Sequence, residues 1–226
     1  MIDDPTDVRQ WRPQGFGRRA ARHVDDPLVE PLWSGLRVLA HHGPSGVEFI
    51  DTEGVTQAWP ETAAAVAAGL AAGDAILDGY LTTEAARTGV GVADLGPQAP
   101  TAGQMTRQML IGGRNRRAEL IDSLEAETPE APMPGEEVVF VAVDILRLDG
   151  ESLLDVPLLE RKRLLDAVVV EGPLVRRGMH VRQPIDVWIG TWRNLGFRAM
   201  AFKDANSRYR PGQPNDDWAK QDIPRR

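Results

Sequence analysis

The chain contains no cysteine. That absence removes disulfides, thiolate zinc sites and cysteine nucleophiles together. Nor does any stretch approach the roughly 18–20 consecutive apolar residues that a membrane-spanning helix requires. The N-terminus, MIDDPTDVRQ, begins acidic and has no apolar run, which is unlike a secretory signal. A cytoplasmic protein that does not touch membranes is the expectation. Positive charge is also in deficit: the formal net charge is −7, whereas a protein devoted to gripping DNA phosphates is more often basic. Lysine is scarce, with only Lys162, Lys203 and Lys220, so arginine carries nearly all the positive charge. The four histidines, His23, His41, His42 and His180, do not stand at metal-ligand spacing. His41 and His42, adjacent in a strand, would point to opposite faces. No metal site is expected from them.

What is present fits one globular domain. The 226 residues are 42% hydrophobic and 26% charged, enough to bury a substantial core. Residues 1–26 mix five arginines with five aspartates and are expected to form an N-terminal extension lying on the surface of a domain made by residues 27–226. Leu36–His42 and Val47–Asp51 read as strands around the turn Gly43-Pro44-Ser45-Gly46. Pro60 opens a helix at the position where its missing N–H costs nothing, and Gly73 closes it. Ala75–Leu81 and the apolar run Val138–Leu146 read as strands, the second covered on both faces. Gln104–Leu124 reads as helix between the loops 91–103 and 125–136, and Leu158–Val170 is helical. Ile185, Trp188, Ile189, Trp192 and Leu195 form a single helical stripe, ended by Gly196, and place Trp188 and Trp192 in the core. Phe197–Lys203 is a further strand, followed by a polar, turn-rich tail. This order predicts an α+β fold of packed, largely antiparallel sheets flanked by helices.

Several segments, in order, resemble the adenylation (nucleotidyltransferase) domain of ATP-dependent DNA ligases. Val29–Val38, VEPLWSGLRV, is similar to the nucleophile motif E-P-K-[YW]-D-G-x-R-[VA]. Thr56–Glu61, TQAWPE, resembles T-x-x-F-P-E, and Leu77–Leu81, LDGYL, resembles L-D-G-E-L. Val143–Gly150, VDILRLDG, resembles F-D-L-L-x-L-D-G. Pro157–Lys162, PLLERK, matches P-L-x-E-R-[RK]. Ser207–Gly212 with Asp217–Lys220 resembles S-x-Y-x-P-G…D-W-x-K. The likeness runs from about Val29 to Lys220. It implies a cleft that binds ATP or another nucleotide, with DNA or a DNA-repair protein as partner. The family's OB-fold domain, which clamps DNA, is expected to be missing after Lys220.

The departures fall on chemistry. Leu32 stands where the family's lysine attacks the α-phosphate of ATP, and it has no amine to do so. Ser34 replaces the aspartate of that motif. Tyr80 replaces the glutamate of L-D-G-E-L. The Ser-Arg pair expected after the hairpin reads Asp51-Thr52, and Asp222 replaces the second lysine of W-x-K-x-K. Arg198 replaces the metal-associated glutamate of E-G-x-x-x-K. A guanidinium is permanently charged, so at a partly buried site Arg198 would repel a divalent ion by roughly several kcal/mol while still attracting phosphate. No catalytic residue and no magnesium site are therefore expected. Trp33, Arg37, Arg198, Lys203, Trp218 and Lys220 are the candidates for binding a nucleotide or phosphate, although packing is the simpler reading of Trp33. Arg107, Arg114, Arg116 and Arg117 read better as a solvated helix face than as a nucleic-acid surface, because no aromatic residue is interleaved. The resemblance implies a DNA ligase-like domain that acts by binding a nucleotide, DNA ends or a repair partner. Two alternatives stay open: an active nucleotidyltransferase with a rewired site using Lys203 or Lys220, and a structural interaction subunit whose cleft is filled.

Overall fold

The structure is a computed structural model that describes residues 8–83, 132–133 and 135–224. The helix expected over Gln104–Leu124, its flanking loop 91–103 and the four arginines Arg107, Arg114, Arg116 and Arg117 lie outside the described residues.

Two packed sheets form the body. The larger is built on a hairpin of β3 (Leu36–Gly43) and β4 (Gly46–Asp51), closed by the expected turn, with Gly46 at a φ of 103°. β3 pairs antiparallel with β6 (Ala75–Thr82), and β6 pairs with β7 (Val139–Leu148). The short strands β5 (Thr56–Gln57), β8 (Glu151–Ser152) and β9 (Val175–Arg177) complete it, the last running parallel to β7. β6 and β7 occupy the middle, and all eight residues of β6 are buried. This is why Val138–Leu146 reads as a nearly continuous apolar run, broken only by Asp144, and not as an alternating one. Helix α1 (Pro60–Gly69) and helix α2 (Leu158–Val168) flank this sheet. Their buried Val66 and Leu165 join Phe49, Leu77, Leu81 and Phe140 in one apolar cluster.

The smaller sheet has three antiparallel strands: β10 (Ala199–Asp204) lies between β2 (Pro27–Pro31) and β12 (Trp218–Asp222). One face carries Val29, Met200, Phe202 and Ala219, packed in a cluster with Trp192 of helix α3 (Asp186–Asn194). Trp192 is fully buried, as its stripe predicts, whereas Trp188 is only partly buried.

Two segments differ from expectation. The tail contributes β12, whose Trp218 and Ala219 are buried while Lys220, Gln221 and Asp222 are exposed. An edge strand buried at only one end lacks the period-2 signal that reveals strands. The N-terminal segment is woven into the domain: Trp11 is 6% exposed and Gln14 is 1% exposed. β1 (Gly15–Phe16) pairs in parallel with β11 (Pro214–Asn215). A lone tryptophan among arginines and aspartates gives no periodicity, so its burial is decided by distant partners.

Two motif glycines are required by close approach. A Cβ on Gly35, which has a φ of 102°, would lie 2.3 Å from the Leu81 carbonyl oxygen. A Cβ on Gly79 would lie 2.5 Å from both the Phe140 ring and the Val141 carbonyl oxygen. No real side chain tolerates such distances, so these glycines let β6 and its neighbours in the large sheet approach as closely as they do.

Candidate functional site

The facing surfaces of the two sheets pack together around a cluster of buried ions, which marks the closed cleft. Alternation along β10 sets Ala201 and Lys203 on one face, and the pairing register places Glu30, Leu28, Trp218 and Lys220 on that same face. Across from it stand Arg37 of β3, with Asp78 and Tyr80 of β6. The arginine side chain is 13% exposed and Asp78 is fully buried.

Each ion in this cleft has a partner. Arg37 forms a two-pronged pair with Asp78, Nε to Oδ1 at 2.8 Å and Nη2 to Oδ2 at 2.6 Å, and donates to the Tyr80 hydroxyl at 3.2 Å. The Tyr209 hydroxyl donates to Asp78 Oδ2 at 2.7 Å. Lys203 Nζ lies 2.8 Å from Glu30 Oε2, and Lys162 Nζ lies 2.6 Å from Glu30 Oε1. Lys162 also donates to the Val143 carbonyl. Trp218 forms the floor, with Lys203 Nζ 4.3 Å and the Arg37 guanidinium 6.0 Å from its ring centroid. Both are cation–π distances. Deeper still, Arg161 and Asp144, fully buried, pair through two hydrogen bonds of 2.9 and 2.8 Å, and Arg161 also donates to the carbonyls of Val156 and Ser207.

Burial sets the proton affinities in competition with these charges. Burial alone pushes the Glu30 carboxyl up, but Lys162 and Lys203 outweigh it and hold it at about 2. Burial lowers the Lys162 amine, an effect that Glu30 only partly offsets. Burial also works against the charged Arg37 guanidinium, yet Asp78 holds it well above the usual arginine range. The Tyr80 and Tyr209 hydroxyls are both raised, chiefly by burial.

The residues at the altered motif positions are placed as follows. Leu32 continues β2, its N–H bonding the Ala199 carbonyl at 2.9 Å, and its side chain packs, partly buried, on the apolar cluster that includes Trp33, Tyr80, Val141 and Met200. Trp33 is 7% exposed and meets Phe197 edge-on at 4.8 Å. Ser34 is half-buried. Arg198 is exposed just before β10 and does not sit in the partly buried position from which it would repel a metal. Asp51 is used by the turn that follows β4, accepting from the backbone N–H groups of Glu53 and Val55 and from the Gln57 amide.

The phosphate-binding candidates are thus divided. Arg37 and Lys203 converge on Trp218, where Asp78 and Glu30 neutralise them. Lys220 shares the sheet face of Lys203 and is exposed; Arg198 is exposed just before β10. Sequence reasoning missed Glu30, Asp78, Lys162 and Tyr209 as members of the cleft. All four lie inside quoted motifs, but the residues that pair with them are far away in the chain. As for the divalent ion that the resemblance brings with it, the carboxylates present do not suit one. Glu30, Asp78 and Asp144 are each held by arginine or lysine. Among the described residues no three His, Cys, Asp or Glu side chains are grouped to hold a metal.

Comparison with known proteins agrees with this architecture. The ligase domain of M. tuberculosis LigD superposes with a TM-score of 0.62 at 19% identity, over 96% of this chain and 60% of that one. The fold is that of the DNA ligase nucleotidyltransferase domain. In sequence, the DNA ligase of Pyrobaculum calidifontis is 25% identical over 199 residues, which covers 85% of this chain and 30% of that ligase. The multifunctional non-homologous end joining protein LigD of Mycolicibacterium smegmatis is 27% identical over 232 residues, 96% of this chain and 25% of that protein. The ligase-fold domain therefore spans under a third of the length of these relatives. No family model matches the chain. Among the described residues no helix is long and apolar enough to cross a membrane.

Proposed function

We propose that this chain is a ligase-fold domain that does not adenylate itself and acts by binding DNA ends. The observation that carries the reading is Leu32, an apolar side chain packed on an apolar cluster at the position that corresponds to the nucleophilic lysine. The available lysines do not substitute for it. Lys162 and Lys203 are 1% and 2% exposed and share Glu30, so neither Nζ is open to an incoming phosphate. Lys220 is exposed, but it lies beyond the paired cluster. DNA as partner is supported by the DNA ligases and the end-joining protein among the relatives.

Of the candidate cations, only Arg198 and Lys220 are open to solvent, Lys220 on β12 and Arg198 just before β10. Binding of a nicked duplex should therefore be weak, independent of magnesium, and weakened by salt. Charge reversal of both residues (Arg198→Glu with Lys220→Glu) should lower the slope of log affinity against log salt by about two, at roughly 0.9 for each phosphate that is no longer neutralised. Titrations with labelled duplex across a salt series, with and without magnesium, measure this. Tight binding that requires magnesium, or a slope that the double variant leaves unchanged, would refute the reading.

A structural subunit with a filled cleft is the second reading, and the internal pairing of Arg37 and Lys203 favours it. It predicts no duplex affinity at any salt concentration.

A further inference from the structure

Residues 8–17 run across one end of the cleft and touch both sheets. Trp11 sits in a cluster with Leu39, Ile76 and Leu146 of the large sheet and with Tyr209 and Trp218. The Gln14 N–H donates to the Tyr209 hydroxyl at 2.8 Å, the same hydroxyl that donates to Asp78 and so supports the Arg37 pair. The Gln14 side chain accepts from the Arg210 N–H. Backbone bonds continue the seam: Gly212 N–H to the Arg12 carbonyl at 2.8 Å, Gly15 N–H to the Gln213 carbonyl at 3.0 Å, and Gly17 N–H to the Trp218 carbonyl at 2.9 Å. Phe16 lies 6.2 Å from the Trp218 ring. On the opposite side the Arg12 guanidinium covers Gly54, where a Cβ would lie 2.3 Å from its Nη2.

Trp218 is thus a plate held on two sides. The strap holds it from the N-terminal side, and Lys203 and Arg37 rest on its ring. Behind it the balance of charge is positive. Arg37, Lys162, Lys203 and Arg161 are shared among Glu30, Asp78 and Asp144, one acid fewer than the cations. A phosphate chain suits this excess of cations, but it cannot reach them while Trp218 is pinned and Lys203 is 2% exposed.

We propose that residues 8–17 are an intramolecular strap that keeps the cleft shut, and that its release admits a phosphate chain to Lys203 and Arg37. Only the choice of ligand rests on the binding role proposed above; the cover itself stands on geometry. The strap is docked at Gly17 by a close approach to Asn215 and Asp216, outside the ion-paired cluster. A Cβ on Gly17 would lie 2.4 Å from the Asp216 Cα and 2.6 Å from the Asn215 carbonyl oxygen, so Gly17→Ala must displace it. Trp11→Ala loosens the other end.

The chain's three lysines report the outcome in one experiment. Lys220 is exposed, Lys203 packs on the Trp218 ring, and Lys162 is a buried residue of helix α2 held by the other oxygen of Glu30. Brief acylation of the full chain with an amine-reactive reagent, followed by peptide mass spectrometry, should label Lys220 in every sample. Lys203 should label at least tenfold faster in Gly17→Ala and in Trp11→Ala than in the parent, with Lys162 still protected. Inorganic tripolyphosphate should slow that labelling in the variants. Stronger protection by ATP would identify a nucleotide as the source of the phosphate, and stronger protection by a 5′-phosphorylated duplex would identify a DNA end. The proposal is overturned if Lys203 stays as protected as in the parent in both variants. It is overturned equally if Lys162 becomes reactive in step with Lys203, because the segment is then part of the fold and not a cover. Failure of all three anions to protect Lys203 removes the phosphate site. None of these results bears on self-adenylation, which is measured separately.

Discussion

Glu30→Ala is expected to destabilise the domain by about 3–5 kcal/mol, the usual cost of leaving a buried ion without its partner. Two ammonium groups, Lys162 and Lys203, lie on this one carboxylate, and both are almost fully buried. Removing the carboxylate leaves two like charges close together in a region that water does not reach. Acid should have a related effect on the parent. The folded-state carboxyl is held at about 2, against an ordinary value of 4.5. A group depressed in this way contributes fully above its unfolded value, and that contribution is lost as pH falls through the folded one. The gap in stability between the parent and Glu30→Ala should therefore be constant above about pH 4.5 and narrow toward pH 2. Urea denaturation followed by tryptophan fluorescence across this range measures both quantities. A variant within about 1 kcal/mol of the parent would mean that the lysines find water or another partner.

Asp144→Ala should cost a comparable amount, about 3–5 kcal/mol, for a different structural reason. Asp144 and Arg161 are both 0% exposed, and the same guanidinium reaches the Val156 and Ser207 carbonyls. It ties β7 and helix α2 to the segment that leads into β12. Loss of the aspartate strands a guanidinium that cannot give up its proton. Arg161→Met in the same chain should recover a large part of the loss, because the double variant buries no unpaired charge. If the two losses instead simply add, the residues are not coupled. Far-UV circular dichroism and denaturant midpoints of the two single variants and the double variant form the cycle.

These pairs also explain how much of the protein its sequence discloses. The hairpin, the central strands and the helices announce themselves through turn residues and apolar periodicity, which are local. The order of strands and helices is enough to indicate packed, largely antiparallel sheets. The motif residues are visible as well, but the relations among them are not. Arg37 pairs with Asp78 across 41 positions, and Lys203 pairs with Glu30 across 173. Read one at a time, Arg37 and Lys203 look like free phosphate ligands; folded, each is neutralised by an acid from another motif. Lys162 closes a helix-starting motif and gives no hint that it turns inward to Glu30. Trp11 and Gln14 are hidden for the opposite reason. They sit in a polar, arginine-rich stretch with no pattern, and they are buried only because Tyr209, Trp218 and the large sheet come together to receive them.

The central claim is that this ligase-fold domain makes no enzyme–AMP bond, and that the missing amine is not the whole cause. The measurement that tests it is intact-mass analysis, with peptide mapping, of the parent and of Leu32→Lys after incubation with α-labelled ATP and magnesium. Both chains should remain free of covalent AMP. The parent has no nucleophile at position 32, and in the variant the carboxylates of the cleft are still paired with Arg37, Lys162, Lys203 and Arg161 and do not position a metal. Samples are kept neutral or alkaline, because a lysyl phosphoramidate is labile to acid. Covalent AMP on Lys203 or Lys220 of the parent, or at position 32 of Leu32→Lys, would contradict the claim.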